Sequence, residues 1–191
     1  MNQINRSKMT GRFNLRKQAG DFMVSLSVAL IIVAIISAGI YIAFAENARK
    51  NEVTVSINAI TATAANLRKN FGINNTYGAV TTGIAIQSRT IPAEQRNGAL
   101  LTASNSYSGA ITTVPATLIT ANDVVDLSYA RVPSSQCVDI VLGTEAVARK
   151  IMVGAAIPKA TDTPLVLATL TAACESATNV TIVWSVGRTG T

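Results

Sequence analysis

The sequence contains no histidine. That removes the commonest general base and the commonest metal ligand. Only two cysteines are present, too few for a four-thiolate metal site. Hydrolase triads built on histidine and structural zinc chemistry are therefore excluded. Charged residues make up 14% of the chain and aromatic residues 5%, against about 25% charged in ordinary globular domains. A hydrophobic content of 49% excludes an intrinsically disordered chain. At 191 residues there is room for one ordinary domain with an appendage.

The net charge of +6 points to nucleic acid only if the cations lie on a domain. They do not. Arg6, Lys8, Arg12, Arg16 and Lys17 precede the first acid, Asp21, and the remaining eleven cations nearly balance ten acids. With few aromatics for base stacking, no nucleic-acid partner is expected. Residues 22–45 follow as 24 residues without a charge, enough for a helix crossing a bilayer core of about 20 residues. Cations preceding such a stretch stay on the cytoplasmic side, so the N-terminus is read as inside and everything after Ala45 as exported. Cleavage by signal peptidase after Ala43-Phe44-Ala45 is an alternative. The apolar run, however, exceeds the roughly 7–15 residues of an ordinary signal.

Beyond a charged stretch at 46–52, apolar residues recur at Val53, Ile57, Ile60, Ala64, Leu67 and Phe71, which predicts one face of an amphipathic helix. Arg68 and Lys69 suit its last turn and Gly72 its end. No proline interrupts 21–71, so one continuous helix of roughly 75 Å is expected at about 1.5 Å per residue. Residues 73–122, rich in Gly, Asn, Ser and Thr, read as an irregular connection. Strands are predicted over 124–132, 147–153, 166–170 and 179–186, the last with Val180, Ile182, Trp184 and Val186 on one face. Residues 134–141 read as a short helix opened by a serine cap.

The leader ending Arg16-Lys17-Gln18-Ala19-Gly20, followed directly by the long uncharged stretch, resembles the class III signal of type IV prepilins. Ile35-Ile36-Ser37-Ala38-Gly39 looks like the VVSAG-type segment of type IVb pilins. Ile91-Pro92 with Asn105-Ser106-Tyr107-Ser108-Gly109 resembles the IP…N-x-W-G-G pattern of plasmid and enterobacterial type IVb pilins. LSYARVPSSQCVDIVLG, residues 127–143, is similar to their strand-then-helix segment bearing the first cysteine. The resemblance implies an α+β fold, with a long N-terminal helix packed on a mostly antiparallel β-sheet head. It implies a leader at 1–20 cut between Gly20 and Asp21, a membrane and filament-core segment at 21–45, an amphipathic segment at 46–72 and a head at 73–191.

The implied partners are a homopolymer of identical subunits, a prepilin peptidase, the inner-membrane assembly machinery and, before assembly, the lipid bilayer. Two positions depart from the family pattern: Asp21 stands where an apolar residue is usual, and Ser25 replaces a glutamate thought to neutralise a neighbouring N-terminal amine. A buried amine requires a partner, and Asp21 is the candidate. The departures keep a minor pilin or type II secretion pseudopilin open, beside a monomeric membrane-anchored binding domain.

Cys137 and Cys174 are read as exported, which favours a disulfide between them. They are too distant in sequence for a CxxC redox pair. Asp123, Asp126 and Asp139 read as surface acids or as partners of Arg131 and Arg149. No catalytic residue, cofactor site or metal site is expected, and the chain is not read as an enzyme.

Overall fold

A computed structural model describes residues 15–73 and 77–188, with the backbone alone for 15–22 and for Ser25. The chain divides into two compact units, Met1–Asn47 and Ala48–Thr191. Helix α1, Leu15–Phe71, is continuous over 57 residues and contributes to both.

Within the first unit, every described side chain of α1 is exposed. Met23, Leu30, Ile35, Tyr41 and Phe44 are among the large apolar residues left open. Within the second unit α1 becomes amphipathic, as the spacing predicts. Ile60, Ala64 and Leu67 are fully buried, while Val53 and Phe71 pack at the margin of the core. Gly72 ends the helix, its N–H donating to the Arg68 carbonyl at 2.9 Å. A Cβ there would lie 2.4 Å from that oxygen, so glycine is required for close approach.

Five antiparallel strands form the main sheet in the order β3-β4-β7-β5-β6: β3 Ile111–Ala116, β4 Val124–Pro133, β5 Lys150–Val153, β6 Ala156–Lys159 and β7 Asn179–Gly187. The central pair runs in register from Val124 opposite Gly187 to Pro133 opposite Asn179, interrupted by a bulge between Tyr129 and Val132. Arg131 in that bulge has φ +60°, the local kink that an extra residue introduces. Val180, Ile182, Trp184 and Val186 are all buried, as the alternation predicts. Trp184 meets Tyr129 edge-on at 5.5 Å and donates its indole N–H to Thr144 Oγ1 at 2.9 Å.

Several expectations are corrected. Residues 73–122 are not irregular throughout: they hold helix α2 (Thr82–Gln87), the two-stranded pair β1 (Arg96–Asn97) and β2 (Thr102–Ala103), and edge strand β3. Pro115 lies within β3, and the edge is where a residue without an N–H is tolerated in a sheet. Residues 166–170 are not a strand but open α4, Leu167–Cys174. The inward residues Leu170, Ala173 and Cys174 follow helical spacing, and a short apolar run cannot by itself separate the two periods. The predicted strand over 147–153 starts only at Lys150, after a 3-10 turn at Glu145–Val147. Helix α3, Ser134–Thr144, forms where predicted, but its cap residue is Pro133 and no side chain caps it. The Ser134 N–H instead donates to the Thr178 carbonyl at 3.0 Å.

Candidate functional site

Three features of the sequence reading acquire geometry. The first is the apolar part of α1. It is long and apolar enough to cross a membrane, with a mean hydropathy of 2.7 over a window that is 0% buried. Gly20 and Asp21 lie on this helix by their backbone, and the side chains of Asp21 and Ser25 fall outside what is described. The cleavage and charge-pairing expectations therefore meet no geometry.

The second is the disulfide between Cys137 and Cys174, whose Cα atoms are 5.7 Å apart. Cys137 sits in the first turns of α3 and Cys174 is the last residue of α4. Both are fully buried. The bridge ties α4, which packs over β6, to the helix that follows β4.

The third is the turn from Asn105 to Gly109, which shows why this motif needs these residue types. The Asn105 carboxamide oxygen accepts from the N–H of Tyr107 at 3.0 Å and of Gly109 at 2.8 Å. Its amide donates to the Ala130 carbonyl at 2.7 Å. One side chain thus closes the turn and fastens it to the bulge of β4. Ser108 adopts φ +57°, a left-handed conformation that glycine enters without penalty. At Gly109 a Cβ would lie 1.8 Å from the Ala130 oxygen, so no side chain fits there.

The turn aims Tyr107 at two helices. The Ser56 hydroxyl of α1 donates to the Tyr107 oxygen at 3.3 Å. Tyr107 donates to Gln136 Oε1 of α3, and the Gln136 amide donates to Glu52 Oε2 of α1 at 3.2 Å. Burial raises the Tyr107 pKa above the ordinary tyrosine value, with the Ser56 hydrogen bond pulling the other way and Glu52 adding to the rise, so the phenol stays a donor at neutral pH. Ser56, Tyr107, Gln136 and Glu52 form one directional chain of hydrogen bonds ending on a carboxylate. Gln136 is buried beside Cys137, so the relay and the disulfide meet at the same turn of α3. Sequence reasoning did not assign Glu52, Ser56 or Gln136. Only the spacing of Ser56 one helical turn beyond Glu52 hinted at a shared face.

Asp123 pairs with Arg149 and Asp139 is exposed, as expected, while Asp126 and Asp162 take other roles. Arg149 donates to Asp162 through Nε at 3.0 Å and Nη2 at 2.6 Å, and through Nη1 to Asp123 at 3.4 Å. The Asp162 carboxyl is held below its ordinary value mainly by these Arg149 hydrogen bonds. Burial pushes the Asp123 carboxyl up, but hydrogen bonds from the backbone of Leu118 and Ile119 outweigh it and lower the pKa. Asp126 does not pair with Arg131; it accepts from the Ser185 hydroxyl at 2.6 Å. Arg131, on its bulge, is exposed, as is Asp139. Among the described residues no group of His, Cys, Asp or Glu is arranged to hold a metal.

The family model described as PilS N terminal matches residues 48–187. No curated protein sequence matches the chain. Among solved structures, the chain is similar to a type IVb pilin from Salmonella typhi. The identity is 18%, over 71% of this chain and 99% of that one, with a TM-score of 0.54. It is also similar to TcpA, a type IV pilin from Vibrio cholerae El Tor biotype. There the identity is 13%, over 71% of this chain and 98% of that one, with a TM-score of 0.52. With a family model spanning residues 48–187 and the fold seen in type IV pilins, the chain belongs to the PilS N-terminal family and has a type IV pilin fold.

Proposed function

We propose that this pilin polymerises through residues 22–45 into an extracellular type IVb filament. The observation that carries the reading is the exposure of that stretch. Among the described residues its apolar side chains, from Met23 to Phe44, are exposed, whereas the continuation of the same helix is buried in a packed core. Lipid satisfies such a stretch before assembly; once it leaves the bilayer, only other apolar helices can. In this reading the chain waits in the inner membrane with its N-terminus in the cytoplasm. A prepilin peptidase cuts between Gly20 and Asp21, and the inner-membrane machinery adds the subunit to a homopolymer. Its role is structural, and adhesion, motility or conjugation belongs to the assembled fibre.

Mass determination of the mature N-terminus tests the first step. A chain beginning at Asp21 supports the reading; one beginning at Glu46 overturns it, because signal-peptidase cleavage would remove the polymerising segment. Shear fractionation tests the second: a filament subunit is released with sheared fibres, whereas a monomeric membrane-anchored binding domain stays with membranes. Ser25, in place of the usual glutamate, supports a second reading as a minor pilin or pseudopilin, in which the chain is present in sheared material at a small fraction of another subunit.

A further inference from the structure

A small cleft of about 220 Å3 opens in the C-terminal unit, lined by Arg68, Arg149, Lys159, Asp162 and Thr163 with two alanines. Its three cations come from three parts of the chain, and each is held in place by other groups. Arg68, in the last turn of α1, donates through Nε to the Gly187 carbonyl at 3.0 Å and through Nη2 to the Val147 carbonyl at 2.7 Å. Both acceptors are neutral. Lys159 of β6 donates to the Glu145 carbonyl at 2.7 Å, with a Glu145 carboxylate oxygen at 4.0 Å. Arg149 is clamped by Asp162 and Asp123.

Asp162 is the carboxylate in the wall; Asp123 and Glu145 touch these cations without lining the cleft. A guanidinium and an ammonium carry more N–H groups than these acceptors use. The cleft therefore presents fixed positive groups with donors to spare, already ordered at no further cost in side-chain freedom.

We infer that this cleft binds a phosphate-type oxyanion, gripped between Arg68 and Lys159 with Arg149 behind it. The N–H groups of Arg68 that those carbonyls leave unused can donate to such a group, and Lys159 supplies a point charge from another side. The C-terminal end of α1 lends no positive potential, so the side chains alone supply the attraction. The Asp162 carboxylate in the wall opposes entry of any anion, so the three cations must outweigh it. The same chemistry is offered by free phosphate and by a phosphate carried on a sugar.

The test uses the full chain in maltoside micelles, titrated with inorganic phosphate at constant ionic strength while the arginine Nε–H signals are followed by NMR. The expected result is a saturable shift of the Arg68 and Arg149 signals. Affinity should fall by about threefold in Lys159→Gln, be retained in Lys159→Arg and be unchanged in Lys69→Gln, a neighbouring cation outside the cleft. A linear drift without saturation overturns the site, as does equal weakening by Lys69→Gln and Lys159→Gln. Glucose 6-phosphate, with glucose as its control, separates the sources. Saturation at lower concentration than inorganic phosphate assigns a sugar-borne group, and equal or weaker binding assigns free phosphate.

Discussion

Adjacent positions in the Asn105–Gly109 turn respond to substitution in opposite directions. A methyl group at Gly109 would sit 1.8 Å from the Ala130 oxygen, 2.5 Å from its carbon and 3.0 Å from the Asn105 amide. Carbon and oxygen normally stay about 3.3 Å apart or more, so turn and bulge must separate by well over an ångström. That movement breaks the Asn105 amide bond to the Ala130 carbonyl at 2.7 Å and disturbs the Ala130 N–H bond to the Ala110 carbonyl at 3.0 Å. Two hydrogen bonds, the first of them partly buried, at about 1–1.5 kcal/mol each, with the packing around them, give a loss of about 3 kcal/mol for Gly109→Ala. Ser108, by contrast, is a non-glycine residue at φ +57°. The left-handed conformation costs it about 1–2 kcal/mol. Ser108→Gly removes that cost but gives back about 0.4–1 kcal/mol in unfolded-chain entropy, so a gain of up to about 1.6 kcal/mol is expected. Urea unfolding of the full chain in maltoside micelles reads both, followed through the single tryptophan, Trp184, which is fully buried. If Gly109→Ala unfolds within about 1 kcal/mol of the parent, the turn yields more easily than these distances allow, and the account of the motif fails.

Tyr107→Phe keeps the ring but removes the donor to Gln136 and the acceptor for Ser56; a loss of about 1–2 kcal/mol in the same urea assay is expected. Cys137→Ser opens the loop that the bridge closes over a separation of 37 residues, worth about 4 kcal/mol in the chain-entropy model, and should lower the amount of folded chain recovered from cells. Because the Asp123 and Asp162 carboxyls are depressed in the folded chain, their contribution is present above the ordinary carboxyl value of about 3.9 and is lost as pH falls through the folded values. Acid unfolding profiles should show this loss, and Asp162→Asn should flatten the profile over that window. For the filament proposal, Asp21→Asn should reduce sheared fibres without reducing membrane insertion, and Asp21→Asn with Ser25→Glu should restore them; normal piliation of the single variant would show that Asp21 neutralises no amine.

The long helix was legible from residue order alone, because an uncharged run and a stripe from Val53 to Phe71 at spacings of three and four both depend only on period. The buried face of β7 was legible for the same reason, through a period of two. The two cysteines of the disulfide followed from there being no others. What the sequence left open was decided by distance in space. Residues 166–170 carry an apolar run too short to distinguish strand from helix; in the fold they open a helix that buries Leu170, Ala173 and Cys174, the last bridged to Cys137 of α3. Arg149 took Asp162 and Asp123 rather than a closer acid because the 160s segment folds back beside it, its Asp162 N–H donating to the Arg149 carbonyl at 2.8 Å. The Asn105–Gly109 motif could be recognised as a pattern, but its reasons lie in the Ala130 carbonyl and in side chains of two helices far away in sequence. Periodicity reports which residues want to be inside; it carries no information on which buried polar groups will meet there, since those pairings arise only once the elements have packed.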